Sequence, residues 1–185
     1  MTRPLSVVTL CGSLRAGSYN AILQRTLPEL APEGMTLTAL EGLGDIPLYN
    51  SDVQAQGFPA AVTAMGEAIA RADGIIIVTP EYNYSIPGVL KNGIDWLSRL
   101  PDTPFAGKPM AIQSASMSVL GGVRAQYHLR QVAVFLDARV LNKPEVMVAS
   151  VQQRVQDGRL TDEGTREVIR KQLAAFAAFI GAANA

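Results

Sequence analysis

Cysteine and histidine are nearly absent from this chain of 185 residues, since each occurs only once, as Cys11 and His128. A single cysteine cannot form an internal disulfide, and one cysteine with one histidine cannot complete the usual zinc ligand sets. We therefore predict neither a disulfide framework nor a metal site. Cys11 ends a predicted buried strand and His128 lies within a predicted helix, so we interpret both as structural residues.

An excess of charge of either sign is also lacking, because 16 lysines and arginines balance 16 aspartates and glutamates. Proteins that bind nucleic acids usually carry a basic stripe, and we predict no such partner here. No apolar run reaches the length of a transmembrane helix, and the apolar stretch near the N-terminus is too short for a signal peptide. The sequence therefore predicts a cytoplasmic protein without a membrane segment.

Short apolar runs alternate with helical spacing of apolar residues along the whole sequence. The predicted strands span 5–11, 35–40, 74–79 and 108–114, with an interrupted fifth strand at 139–141 and 145–149. A helix follows each strand. Pro28 is expected to end or kink the first helix, and 45–58 is predicted to be a loop. This alternation predicts one domain over residues 1–185, an α/β three-layer sandwich around a parallel sheet.

Ligands of an open α/β sheet bind outside the carboxyl ends of its strands, where the strand order reverses. Three predicted loops follow strand ends there, at 12–20, 79–88 and 114–122. Their compositions are unusual for simple connections, because the first is rich in hydroxyl donors and the second in tyrosine. These loops are therefore the candidate binding site.

The loop 12–20 joins a strand to the N-terminus of a helix, where free backbone N–H groups and the helix dipole favour an anion. Serine hydroxyls, the guanidinium of Arg15 and the amide of Asn20 complete a donor set that suits a terminal phosphate. The loop lacks the glycines of a dinucleotide-binding turn and the lysine of a P-loop. Glu41, beyond the second strand, could still accept a ribose hydroxyl, so a nucleotide-binding Rossmann protein stays an alternative.

The loop 79–88 contains two tyrosines together with proline, asparagine and serine. Aromatic faces and backbone groups at a strand end suit a flat heteroaromatic ligand. The alternative interpretation is a turn shaped by proline, with its tyrosines packed on the core.

Three stretches identify the sequence as similar to the NAD(P)H-dependent FMN reductase family, within the branch of quinone reductases also described as chromate reductases. They are Gly12-Ser-Leu-Arg-Ala-Gly-Ser-Tyr-Asn20, Thr79-Pro-Glu-Tyr-Asn-Tyr-Ser-Ile-Pro-Gly-Val-Leu-Lys-Asn-Gly-Ile-Asp-Trp96, and the segment from Gly107 to Arg124. The resemblance implies a flavodoxin-like sandwich with a five-stranded parallel sheet in the order 2-1-3-4-5.

The resemblance also implies which residues bind flavin mononucleotide (FMN). The phosphate group would be held by Ser13, Arg15, Ser18, Tyr19 and Asn20. The ring and ribityl chain would be bordered by Pro80, Glu81, Tyr82, Asn83 and Tyr84, and by Ser114 or Ser116 from the third loop. The alternative for Glu81 is that it only fixes its loop.

The activity implied by the resemblance is a ping-pong transfer of hydride from NAD(P)H through FMN to a quinone, and also to chromate or other small acceptors. The cofactor carries this chemistry, so no catalytic side chain is assigned. A non-enzymatic electron carrier of the flavodoxin type is an alternative, although such carriers are usually strongly acidic. Reduction of free FMN or of azo compounds is another.

Family members commonly form homodimers or homotetramers, and the resemblance suggests Arg124 and Glu145 as candidate interface residues. The helix predicted over 121–137 carries two apolar stripes. One stripe can cover the sheet, which leaves the other for a partner subunit. The stripes consist of Leu120, Val123, Tyr127 and Val134, and of Leu129, Val132 and Leu136.

Overall fold

A computed structural model describes residues 3–183 of the chain. Its main sheet contains six strands that all run parallel, in the order β2-β1-β3-β4, with β5 and β6 both paired to β4. The strands are β1 (Leu5–Cys11), β2 (Met35–Leu40), β3 (Gly74–Thr79), β4 (Pro109–Ala115), β5 (Arg139–Val140) and β6 (Val146–Val148). The last two occupy the fifth position, so the predicted order 2-1-3-4-5 and the interrupted fifth strand are confirmed.

Helices cover both faces of the sheet, as a flavodoxin-like sandwich requires. They are α1 (Tyr19–Leu30), α2 (Ser51–Gln54), α3 (Ala60–Arg71), α4 (Gly88–Leu97), α5 (Val123–Phe135) and α6 (Glu163–Ala183). One apolar core lies under α3, α4 and α5, and the other lies under α1 and α6. Ile75 and Ile77 belong to the first core and Ile76 and Val78 to the second. This double burial explains the unbroken apolar sequence of β3.

Pro28 neither ends α1 nor lies at its boundary, because the helix continues to Leu30. Leu27 and Leu30 on either side of the proline are buried in the second core. Burial of the two leucines offsets the backbone hydrogen bond that proline cannot donate.

Two further segments differ from the prediction. The expected loop 45–58 contains the short helix α2, which Asn50 caps by accepting a hydrogen bond from the N–H of Asp52. A hairpin of β7 (Val155–Gln156) and β8 (Arg159–Leu160) precedes α6. These elements are so short that their apolar residues cannot show the spacing of a helix or a strand in the sequence.

No helix within residues 3–183 is both long enough and apolar enough to cross a membrane.

Candidate functional site

The three loops singled out from the sequence meet at one edge of the sheet. Cys11 at the end of β1 pairs with Val78, and Thr79 at the end of β3 pairs with Ser114. The chain enters the loops directly after these residues. The pairing of adjacent parallel strands therefore brings all three loops to the same carboxyl edge, as predicted.

The first loop presents unpaired backbone donors at the N-terminus of α1. Ser18 is the N-cap of this helix, and its hydroxyl oxygen accepts from the N–H groups of Asn20 and Ala21 at 3.2 and 3.4 Å. In the described part of the chain, the N–H groups of five other loop residues have no protein acceptor: Ser13, Leu14, Ala16, Gly17 and Tyr19. Free N–H groups beside a helix N-terminus form a site for an anion.

Arg15 adds a cation to this loop. Its side chain is exposed, and its guanidinium carbon lies 5.8 Å from the centre of the Tyr19 ring. Its backbone N–H approaches the hydroxyl oxygen of Ser13 at 3.4 Å. Among the described residues, the guanidinium has no carboxylate partner, so its charge is available to a ligand. These donors match the chemistry of a terminal phosphate dianion.

Asn20 lies in the same loop but its side chain is already engaged. Its amide nitrogen donates to the carbonyl oxygen of Ala115 at 3.0 Å, and its amide oxygen accepts from the N–H of Ala115 at 2.9 Å. The residue is 3% exposed. Asn20 therefore joins the start of α1 to the end of β4, and so fixes the first loop against the third.

The second loop contains a tight turn that carries both tyrosines. Tyr82 and Ser85 exchange two backbone hydrogen bonds, of 2.9 and 3.0 Å. Between them Asn83 and Tyr84 have φ angles of 48° and 68°, the left-handed pair that defines a type I′ turn. The residues Tyr82 and Tyr84 are 48% and 66% exposed. The turn therefore presents its tyrosines to solvent, and the alternative of tyrosines packed on the core is wrong.

Pro80 and Glu81 connect β3 to this turn. Pro80 is buried, and its carbonyl oxygen accepts from the hydroxyl of Thr79 at 2.9 Å. The carboxylate of Glu81 accepts from the N–H groups of Arg124 and Ala125 and from the guanidinium of Arg124. Its side chain therefore binds the start of α5 rather than facing the open edge.

The two serines of the third loop differ in their surroundings. Ser114 is fully buried, donates to the carbonyl oxygen of Gly121 at 2.6 Å, and accepts from the side-chain amide of Gln126 at 2.8 Å. Ser116 is half-buried beyond the end of β4. Within residues 3–183 its hydroxyl forms hydrogen bonds only with Ser118, to the hydroxyl at 3.2 Å and from the N–H at 3.1 Å. Ser116 is thus the serine whose hydroxyl is accessible from the edge.

Gln126 is a structural part of this edge that the sequence did not single out. Its amide nitrogen donates to Ser114 and to the carbonyl oxygen of Val146 at 2.8 and 2.7 Å. The residue is fully buried on the face of α5 that also carries Leu129 and Ala133. A polar residue within an otherwise apolar helix face is the signal that could have identified it.

The rim of the edge is apolar. Each loop exposes large apolar or aromatic side chains to solvent. They are Leu14 from the first loop, Tyr82 and Tyr84 from the second, and Met117, Val119 and Leu120 from the third. A rim of this kind suits a flat, apolar molecule.

The two apolar stripes of α5 have separate environments. Leu129 and Leu136 are buried in the core under the helix, and Val132 packs against it. Tyr127 and Val134 on the other stripe are 51% and 80% exposed. The predicted division of the helix into a core-facing and a free stripe is therefore confirmed.

Arg124 and Glu145 both have partners within the chain. Arg124 lies 3.0 Å from a carboxylate oxygen of Glu81, and Glu145 lies 3.6 Å from the guanidinium of Arg130. An interface formed by Arg124 and Glu145 would have to share or replace these ion pairs.

Cys11 and His128 contact residues of the loops. Burial raises the pKa of the Cys11 thiol, which approaches the carbonyl oxygen of Ser13 at 3.8 Å. The Nδ1 atom of His128 lies 2.9 Å from the hydroxyl of Ser85. Across residues 3–183, no group of three or more potential metal-ligating side chains converges.

Known proteins resemble the chain along nearly its whole length. The model of the family described as NADPH-dependent FMN reductase matches residues 5–153. A quinone reductase of Escherichia coli (strain K12) is 58% identical over 183 residues, or 97% of each chain. An NAD(P)H-dependent FMN reductase of Pseudomonas aeruginosa is 51% identical over 177 residues, or 95% of each. The solved structure of FerB, a flavoenzyme NAD(P)H:(acceptor) oxidoreductase from Paracoccus denitrificans, superposes with a TM-score of 0.85 at 32% identity, covering 96% of this chain and 97% of that one.

Proposed function

The chain belongs to the NADPH-dependent FMN reductase family, and from this premise we propose that it reduces quinones with NAD(P)H by means of bound FMN. FMN is the cofactor and NAD(P)H is the co-substrate. When bound, FMN supplies the redox-active ring through which hydride passes from NAD(P)H to the quinone. The protein supplies the position of the ring and the space above it.

The observation that carries this proposal is the meeting of two complementary loops at one sheet edge. The first loop offers free N–H groups, hydroxyls and Arg15, which fit the phosphate of FMN. The second offers a tight turn with two exposed tyrosines, which fits the flat ring. Both ends of one FMN molecule thus find suitable groups.

The phosphate end is assigned to the first loop. Ser13, Arg15 and Ser18 would donate to the phosphate oxygens, and Tyr19 would pack beside them under the Arg15 guanidinium. Asn20 would act differently, by holding the loop against Ala115 through its two amide hydrogen bonds.

The ring end is assigned to the second and third loops. Pro80, Tyr82, Asn83 and Tyr84 would border the ring and ribityl chain, largely through backbone groups. Ser116 would approach from the third loop, because its hydroxyl is accessible whereas that of Ser114 is bonded inside the protein.

No side chain of the site is assigned a proton-transfer role. The apolar rim of the site would exclude water from the ring and bind the apolar face of a quinone. The backbone turn would hold the ring edge in place. The rate of turnover would then depend on how well the protein orients NAD(P)H, and after it the quinone, at the ring.

Steady-state turnover tests the proposal. Protein loaded with FMN should oxidise NADH or NADPH in the presence of a benzoquinone, with parallel lines in a double-reciprocal plot. Chromate, free FMN and an azo dye, offered as acceptors in matched assays, would define the breadth of the reaction. If the loaded protein oxidised neither nucleotide but, after chemical reduction with dithionite, passed electrons to a partner redox protein, the electron-carrier alternative would replace the enzyme.

Arg15→Ala tests the phosphate assignment separately. The substitution should weaken FMN binding about tenfold or more, because one charge-assisted contact is lost. Turnover at saturating FMN should fall much less. The control is Arg71→Ala, which removes another exposed guanidinium, at the end of α3 and outside the three loops. Unchanged FMN affinity in Arg15→Ala would contradict the assignment.

Assembly as a homodimer or homotetramer is also proposed. Its support is the exposed surface of α5, where Tyr127 and Val134 of the free stripe are 51% and 80% exposed and the adjacent Phe135 is 77% exposed. Arg124 and Glu145 remain candidate interface residues. Sedimentation of Val134→Asp against the unmodified protein tests the stripe, since a charge there should dissociate the oligomer. We also propose that the protein is located in the cytoplasm, which cell fractionation can test.

A further inference from the structure

The helix α5 lacks a cap from its own neighbouring residues. Its N-cap is Gly122, which has no side chain to accept hydrogen bonds. Glu81 supplies the missing acceptor from the second loop. One carboxylate oxygen, Oε2, accepts from the N–H groups of Arg124 and Ala125 at 3.0 and 3.3 Å. A carboxylate at a helix N-terminus is stabilised both by these hydrogen bonds and by the helix dipole.

The second oxygen of the same carboxylate orients an arginine. Oε1 of Glu81 accepts from Nη1 of Arg124 at 3.0 Å, and the Glu81 side chain is only 12% exposed. The guanidinium carbon of Arg124 lies 3.8 Å from the centre of the Tyr84 ring, in a close cation–π stack. Glu81, Arg124 and Tyr84 therefore form a continuous chain of contacts from the base of the loop to its tip.

Tyr84 occupies a conformation that needs such support. Its φ of 68° lies in the left-handed region, which is unfavourable for a bulky side chain. The Arg124 stack supports the ring from one side, yet 66% of the residue remains exposed. The rest of the ring is therefore open to a ligand at the carboxyl edge of the sheet.

We propose that Glu81 is a positioning residue, which acts through Arg124 to fix the Tyr84 ring as a wall of the site where the nicotinamide and the quinone bind. This inference rests on the proposed function and adds to it a determinant of substrate affinity. The Glu81 carboxylate touches neither substrate. Its loss should let the Tyr84 ring move, and so weaken substrate binding without removing the groups that hold FMN.

Kinetics of the FMN-loaded enzyme test this inference. Glu81→Gln should raise the KM for a benzoquinone about tenfold, while kcat and the FMN dissociation constant change by about threefold or less. Arg124→Lys should give a similar increase in KM, because an ammonium group lacks the flat face that stacks on the ring. This variant leaves the Glu81 carboxylate and its two backbone hydrogen bonds in place, so it tests the inference even if Glu81→Gln fails to fold.

A double-mutant cycle separates positioning from general destabilisation. Tyr84→Leu should raise the KM for quinone as well, and Tyr84→Phe should retain more of kcat/KM than Tyr84→Leu. Adding Glu81→Gln to Tyr84→Leu should then have little further effect, since the carboxylate acts through the ring. The control is Arg71→Lys, an arginine paired with Glu67 on the surface of α3, which should leave the KM unchanged.

Two results would overturn the inference. One is an unchanged KM in both Glu81→Gln and Arg124→Lys, with only the melting temperature lowered. The other is full additivity of Glu81→Gln and Tyr84→Leu in the free energy calculated from kcat/KM. Neither result would contradict the proposed function. That function would be contradicted if the unmodified, FMN-loaded protein did not oxidise NAD(P)H in the presence of a quinone.

Discussion

The Asn20→Ala variant tests whether Asn20 holds the first loop in place or binds the phosphate of FMN directly. In the structure the amide of Asn20 satisfies both backbone groups of Ala115, through bonds of 3.0 and 2.9 Å. Both residues are about as buried as the core, at 3% exposure each. Asn20→Ala would therefore leave a buried N–H and a buried carbonyl without partners.

The size of the effect follows from these two groups. An unsatisfied buried polar group costs about 1–3 kcal/mol, so the two together should lower the free energy of unfolding by about 3–4 kcal/mol. For a chain of this length, 1 kcal/mol corresponds to about 2–4 °C in the melting temperature. We thus expect Asn20→Ala to melt at least about 6 °C below the unmodified protein.

The assay is thermal unfolding of the protein without FMN, followed by circular dichroism. Asn50→Ala is the matched control, because Asn50 also accepts a backbone hydrogen bond, from Asp52 at 2.8 Å, but on an exposed turn. Its loss should cost about 1 kcal/mol or less. A melting temperature of Asn20→Ala within about 2 °C of the unmodified protein, together with strongly weakened FMN binding, would refute the reasoning and make Asn20 a ligand.

Two further predictions concern stability. Gly122→Ala should lower the free energy of unfolding by about 2–4 kcal/mol, measured by chemical denaturation. The φ of Gly122 is 88°, and an added Cβ would lie 2.8 Å from Cβ of Ser114. The control is Gly181→Ala, which adds its Cβ in open space on α6 and should not lower the free energy of unfolding. Burial raises the pKa of the Asp73 carboxyl, but a backbone N–H and the guanidinium of Arg3 outweigh this and hold the pKa below its usual 3.8. The stabilisation by Asp73 is therefore present above about pH 4 and lost as the pH falls through the lower, folded-state pKa. Asp73→Asn should flatten acid unfolding curves in that range, and an unchanged curve would contradict the assignment.

The sheet could be predicted from sequence because its strands are buried on both faces. The run 75–78 is apolar at every position since alternate residues enter different cores. Helix α2 and the hairpin 155–160 were not predicted because they are too short for their apolar residues to show a regular spacing. The expectation that α1 ends at Pro28 was wrong because burial of the neighbouring leucines outweighs the local penalty of proline, and only the tertiary structure reveals this burial. A kink at Pro28 stays a prediction.

The location of the site could likewise be predicted from the sequence, whereas the roles of its individual side chains could not. Strand ends identify the three loops, and composition identifies which of them suits an anion. The partners of Asn20 and Glu81 lie far away in sequence, at Ala115 and Arg124. A contact between distant segments leaves no local pattern. Both residues therefore looked like ligands in the sequence, and the structure engages both inside the protein.

The claim that the first loop holds FMN by its phosphate underlies the whole functional account. The direct measurement is a calorimetric titration of the FMN-free protein with FMN and, in parallel, with riboflavin, which has the same ring and ribityl chain but no phosphate. We expect one FMN per chain, bound at least about a hundredfold more tightly than riboflavin, a difference of about 2.7 kcal/mol. Equal affinity for the two compounds, or no binding of FMN, would contradict the account.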